Sequence, residues 1–90
     1  MKGERLLQHA LNIFETRRAE YGEANVLFHE IAKRWSLTLG KEIRPAEVVL
    51  CLLELKLARL TQDNAHQDSI TDIAGYAAVL AEITGDSHGR

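Results

Sequence analysis

From Pro45 to Thr61 the chain reads Pro-Ala-Glu-Val-Val-Leu-Cys-Leu-Leu-Glu-Leu-Lys-Leu-Ala-Arg-Leu-Thr, an apolar run too long for one strand. Charge interrupts it only at Glu47, Glu54, Lys56 and Arg59. Wound as a helix with Val48 at zero, Leu52 falls at about 40°, Val49 at about 100° and Leu53 at about 140°. Leu57 follows at about 180° and Leu50 at about 200°. Apolar groups therefore reach every sector, the pattern of a helix covered on all sides. A lone four-helix bundle leaves one side of each helix wet. The run thus predicts a helix that also meets a second subunit, in a homodimer or tetramer.

The rest of the composition is that of an ordinary globular domain, 46% hydrophobic and 27% charged over 90 residues. A chain of this length buries only about 60–65% of its unfolded surface, which makes extra burial by association favourable. The net charge of −2, with basic and acidic residues intermixed, lacks the basic footprint of a general nucleic-acid binder. Cys51 is the single cysteine, so no internal disulfide can form and a reducing cytoplasm is the expected setting. Met1-Lys-Gly-Glu-Arg5 has no apolar signal core, and no stretch reaches the roughly 18 uncharged residues of a membrane span.

Four helices and no strand are predicted, in one all-α domain over residues 1–84. The first covers about 4–20, with Leu7, Ala10, Leu11 and Phe14 at the spacing of one helix face. Gly22 stops it, since glycine enters the left-handed region without a steric penalty. The second covers about 24–39, through Ile31, Ala32 and Trp35, and ends at Gly40. Pro45 opens the third, about 45–61, at a position where its missing N–H is not needed. Gln62-Asp-Asn-Ala-His-Gln67 makes a turn into the fourth, about 69–84, and residues 85–90 form a frayed tail. Short connections favour an antiparallel up-and-down bundle.

Charged side chains inside hydrophobic helices are costly unless paired, metal-bound or lining a cavity. Five fall in the last predicted hairpin: Glu54, Lys56, Arg59, Asp68 and Asp72. Glu54 lies at about 240°, whereas Lys56 and Arg59 lie at about 80° and 20° on roughly the opposite side. One rotation of the third helix brings Glu54 towards Asp72 and makes a carboxylate cluster. The other sets Arg59 beside Asp68 and Asp72 and makes a salt bridge.

The carboxylate rotation suits Mg²⁺, which takes oxygen ligands and is often shared with substrate phosphates. Glu54, Asp68 and Asp72 are then the ligands, with Glu30 in reach, and Lys56, Arg59, Lys33 or Arg18 meets the phosphates. Asp68 or Ser69 is equally suited to cap the fourth helix, and Ser69-Ile-Thr-Asp72 matches a capping box. Tyr76 and Trp35 are candidates for stacking on a base, but either also serves as a core aromatic. Gly75 inside the fourth helix costs up to about 1 kcal/mol relative to alanine, which close approach of another helix, as at Ala58, would explain. His9, His29, His66 and His88 have no metal-ligand spacing.

Tyr21-Gly22, Phe28, Ile31-Ala32, Trp35-Ser36, Leu39-Gly40, Val48, Leu55-Lys-Leu-Ala-Arg-Leu60 and Asp68-Ser-Ile-Thr-Asp-Ile-Ala-Gly-Tyr76 together resemble a family of small uncharacterised phage and prophage proteins. That family is more distantly similar to the all-α nucleoside triphosphate pyrophosphohydrolases of the MazG type. The resemblance implies an oligomeric helical bundle that binds Mg²⁺ through carboxylates and cleaves a (d)NTP to a monophosphate and pyrophosphate. It implies Glu54 and Asp72 as catalytic carboxylates, Glu54, Asp68 and Asp72 as metal ligands, and Lys56, Arg59, Lys33 and Tyr76 as substrate contacts. MazG-type enzymes carry Glu-Glu-x-x-Glu on one helix and Glu-x-x-Asp on the next. Here Glu54 stands without companions, and Asp68 and Asp72 are spaced i, i+4.

Two further readings stand beside the hydrolase. One is a non-catalytic bundle of the same descent that binds a nucleotide or a protein partner. The other is a helix-turn-helix DNA binder built on Ile31-Ala-Lys-Arg-Trp-Ser-Leu37 and Pro45-Ala-Glu-Val48, which ranks last because so apolar a third helix has few side chains free to read a groove.

Overall fold

Glycine and proline punctuate the chain into four helices, as the spacing predicts. The computed structural model describes residues 2–85 and places α1 over Lys2–Tyr21, α2 over Ala24–Leu39, α3 over Pro45–Gln62 and α4 over Gln67–Thr84. No strand occurs among the described residues, and no described helix is long and apolar enough to cross a membrane. Of the expected tail only Gly85 lies within the described residues.

Gly22 (φ 86°) and Gly40 (φ 71°) both adopt the left-handed conformation that ends α1 and α2. At the second of these ends the N–H groups of Gly40 and Lys41 both reach the Ser36 carbonyl. Ser36 Oγ then accepts the Ile43 N–H at 2.8 Å, which fastens the connector to α2. Pro45 opens α3, and the Glu47 carboxylate accepts the Arg44 N–H at 2.8 Å. That hydrogen bond holds the Glu47 carboxyl below its ordinary range, aided by the charges of Arg44 and Lys41.

Helix α4 starts earlier than predicted, and its cap is neither Asp68 nor Ser69. His66 takes that role: its Nδ1 accepts the Ser69 N–H at 3.2 Å and lies 2.8 Å from Ser69 Oγ. A neutral imidazole nitrogen supplies the same acceptor as a carboxylate or hydroxyl. Ser69 is consequently buried, and Asp68 is left exposed in the first turn, where its charge favours the helix dipole.

The core is the work of three helices. Phe28 and Ala32 of α2, Val48 and Val49 of α3, and Val79 of α4 form the buried cluster, with both valines of α3 at 0% exposure. Phe14, Trp35, Leu52, Leu53, Tyr76 and Ile83 pack around it. Helix α1 adds only Ala10 to the buried set.

Two expectations are revised. Arg5, Leu6 and His9 of α1 lie beside Gln67, Ile70 and Thr71 of α4, and Arg18 lies beside Glu82 at the other end. So α1 and α4 run in the same direction, which departs from an up-and-down bundle. The reason is local: α1 and α2 diverge from the Gly22 turn and touch little, and α1 seats on α4. Within one copy, α3 is not covered on all sides. Val48, Val49, Leu52 and Leu53 face the core, whereas Leu50, Leu55 and Leu57 remain 51%, 56% and 46% exposed.

Candidate functional site

Because α1 and α2 separate after Gly22, a cleft of about 520 Å³ opens between them. Ile13, Phe14, Arg17, Arg18 and Tyr21 form the α1 wall, and Ala24, Leu27 and Phe28 form the α2 wall. The floor is one face of α4, Thr71, Asp72, Gly75, Tyr76 and Val79, at i, i+1, i+4, i+5, i+8 spacing. From α3 a single side chain reaches in, Lys56.

Lys56 and Asp72 meet there. Lys56 Nζ lies 3.0 Å from Asp72 Oδ2, with the side chains 21% and 31% exposed. This ion pair identifies which sector of α3 turns towards α4. It is the sector near 80°, at about 160° from Glu54 in helical projection. Of the two rotations weighed from sequence, the structure adopts the one with opposite charges in contact, though the cation is Lys56 and not Arg59.

That rotation parts Glu54 from the two aspartates of α4. Glu54 is exposed on α3, Asp68 is exposed at the start of α4, and Asp72 faces the cleft paired with an ammonium group. Among the described residues, no group of three or more His, Cys, Asp or Glu side chains has an arrangement that would hold a metal ion. Glu30 pairs with Arg34 along α2 at 3.0 Å. Lys33 and Arg59 are exposed, and neither lines the cleft. Of the predicted site residues, the structure therefore gathers Lys56, Asp72 and Tyr76 and leaves Glu54, Arg59 and Lys33 elsewhere, while Asp68 lies one helical turn before Asp72 but outside the cleft lining. Arg18, named as a phosphate contact, does line the cleft. Trp35 packs on the core instead.

The gathered set has a definite chemistry. Three cations, Arg17, Arg18 and Lys56, face one carboxylate, Asp72, in a space also walled by the rings of Phe14, Tyr21, Phe28 and Tyr76. Arg18 is partly committed: its guanidinium lies 5.5 Å over the Phe14 ring and 4.0 Å from Glu82. Arg17 is exposed and forms no ion pair among the described residues. Such a site suits a ligand with an anionic end and a flat, apolar body. Apart from Arg18, the α1 wall was not foreseen from the sequence, although its signal was present. Phe14, Arg17, Arg18 and Tyr21 extend the α1 face at i, i+3, i+4, i+7, where it turns from aliphatic to aromatic and cationic.

Gly75 also differs from expectation. A Cβ built there meets no heavy atom within 4 Å, so close helix packing does not account for it.

Comparison with known proteins places the chain in a family without assigning the cleft a role. The chain is 38% identical over 80 residues to the "Gene 55 protein" of Mycobacterium phage L5, covering 87% of this chain and 51% of that protein. It is 35% identical over 81 residues to the "Gene 55 protein" of Mycobacterium phage D29, covering 89% of this chain and 54% of the relative. The chain thus spans about half the length of these curated relatives. No solved structure matches it. Residues 5–84 match the family described as Domain of unknown function (DUF6378), and the chain belongs to that family.

Proposed function

We propose that this domain binds a nucleotide in the cleft between α1 and α2. The observation that carries the reading is the convergence of Arg17, Arg18 and Lys56 with the rings of Tyr21 and Tyr76 around one carboxylate. Cations meet the phosphates, an aromatic ring takes the base, and Asp72 accepts a hydrogen bond from the sugar or base. Binding has more support than hydrolysis. A Mg²⁺-dependent pyrophosphohydrolase acting through Glu54, Asp68 and Asp72 needs those carboxylates together, and in one copy Glu54 lies apart from the two aspartates. The donor set does not fit a resident Mg²⁺, so no catalytic step is assigned through one.

Calorimetric titration with the four common deoxynucleoside triphosphates, with and without Mg²⁺, tests the reading. Saturable binding that weakens with salt and is lost in Lys56→Ala is expected, without release of pyrophosphate. Failure of all four to bind overturns it, and Mg²⁺-dependent pyrophosphate release returns the hydrolase to first place.

The exposed leucines of α3 support a second reading, self-association through residues 45–61. Leu50 and Leu57 lie about 20° apart on one edge of the outer face, where an apolar strip about two turns long meets water in a single copy. A second copy of α3 offers the same strip about a two-fold axis.

A further inference from the structure

The cleft contains one position whose cost the fold itself does not recover. Gly75 sits in the middle of α4, where glycine weakens a helix relative to alanine, and a side-chain carbon there would touch nothing within 4 Å. Neither a turn nor a close helix contact requires it. What the missing side chain does provide is room: Gly75 lies on the cleft floor, one residue before Tyr76 and one helical turn after Asp72. It also borders a shallow groove on the other side of α1, so α1 passes over α4 here with a gap beneath it.

We infer that Gly75 is the specificity-determining residue of the cleft: its bare backbone is the surface against which the flat part of the ligand lies. The inference rests on the nucleotide-binding reading above and deepens it. A ring seated beside Tyr76 lies over the α4 backbone only if no Cβ projects between them. Alanine at this position raises the floor by one methyl group, and leucine fills the space beneath α1.

The test joins two measurements on Gly75→Ala and Gly75→Leu, with helix content verified by circular dichroism. Urea unfolding should show a higher midpoint for Gly75→Ala than for the parent, because a methyl group enters open space on a better helix former. Titration with whichever deoxynucleoside triphosphate binds the parent most tightly should show at least a tenfold loss of affinity in Gly75→Ala and no measurable binding in Gly75→Leu. A purely structural glycine would move stability and affinity in the same direction. Unchanged affinity in Gly75→Ala overturns the role of Gly75 while leaving the cleft reading intact, and a lowered midpoint overturns it by showing the space to be filled. If the parent binds none of the nucleotides, the cleft reading itself falls.

Discussion

Lys56 Nζ and Asp72 Oδ2, 3.0 Å apart, join α3 to α4 on the floor of the cleft. The pair is neither fully exposed nor fully buried, so its net contribution is small. It lies on the sector of α3 that faces α4, with Glu54 on roughly the opposite side. A double-mutant cycle of Lys56→Met and Asp72→Asn should give a coupling energy of about 0.5–1 kcal/mol, measured by urea unfolding. Coupling near zero would show that packing alone sets the rotation of α3.

Phe28 belongs both to the buried cluster and to the α2 wall of the cleft. Phe28→Ala should destabilise the chain by about 3–5 kcal/mol. Domains are stable by only about 5–15 kcal/mol, so a variant with a markedly lower melting temperature or no cooperative transition is expected. A loss below about 1 kcal/mol would contradict the core described here.

The imidazole cap of α4 gives a separate expectation. His66→Ala removes the acceptor for the Ser69 N–H and strands a buried hydroxyl. A loss of about 1 kcal/mol should follow, while His66→Asn, which also caps, should recover part of it. Equal stability of all three proteins would argue against the cap.

Glu47 links stability to pH through the N-terminus of α3. Its folded carboxyl titrates below the unfolded one, so its contribution is present above the unfolded pKa. That contribution is lost as pH falls through the lowered folded value. In Glu47→Gln the acid side of the stability profile should flatten in this window. An unaltered profile would show that the hydrogen bond to Arg44 does not distinguish the charged form.

Self-association is tested at Leu50 and Leu57. If α3 meets a second copy, light scattering should give a multiple of the 10.1 kDa chain mass, and Leu50→Ser with Leu57→Ser should return it to the monomer. A monomeric parent at high concentration removes the reading.

Much of the helix order was legible because glycine and proline act locally. Gly22, Gly40 and Pro45 constrain backbone geometry whatever packs around them, and those boundaries hold within a few residues. The start of α4 was harder, since the sequence offers Asp68 and Ser69 as caps and only the three-dimensional turn brings in the His66 imidazole instead. The rotation of α3 was not legible at all: leucines at every angle let either charged sector face α4. For the same reason Lys56, Asp72 and Tyr76 were found together with Glu54, Asp68, Arg59 and Lys33, which lie outside the cleft lining. Arg17 and Tyr21 went unnoticed because the direction of α1 depends on how far it diverges from α2, which the two residues between them do not reveal.

The seating of α1 also has a kinetic meaning. A helix that contributes only Ala10 to the buried set, and passes over Gly75 with a gap, has less to lose on detaching than the three helices that share the valine cluster. Its amides should exchange with solvent deuterium through a partial opening about Gly22, well before those of α2, α3 and α4. On that expectation, one wall of the cleft opens before the rest of the domain. If α1 opens first, a molecule that bridges Arg17 to Asp72 favours its docked arrangement, and slowed exchange along α1 would report its arrival.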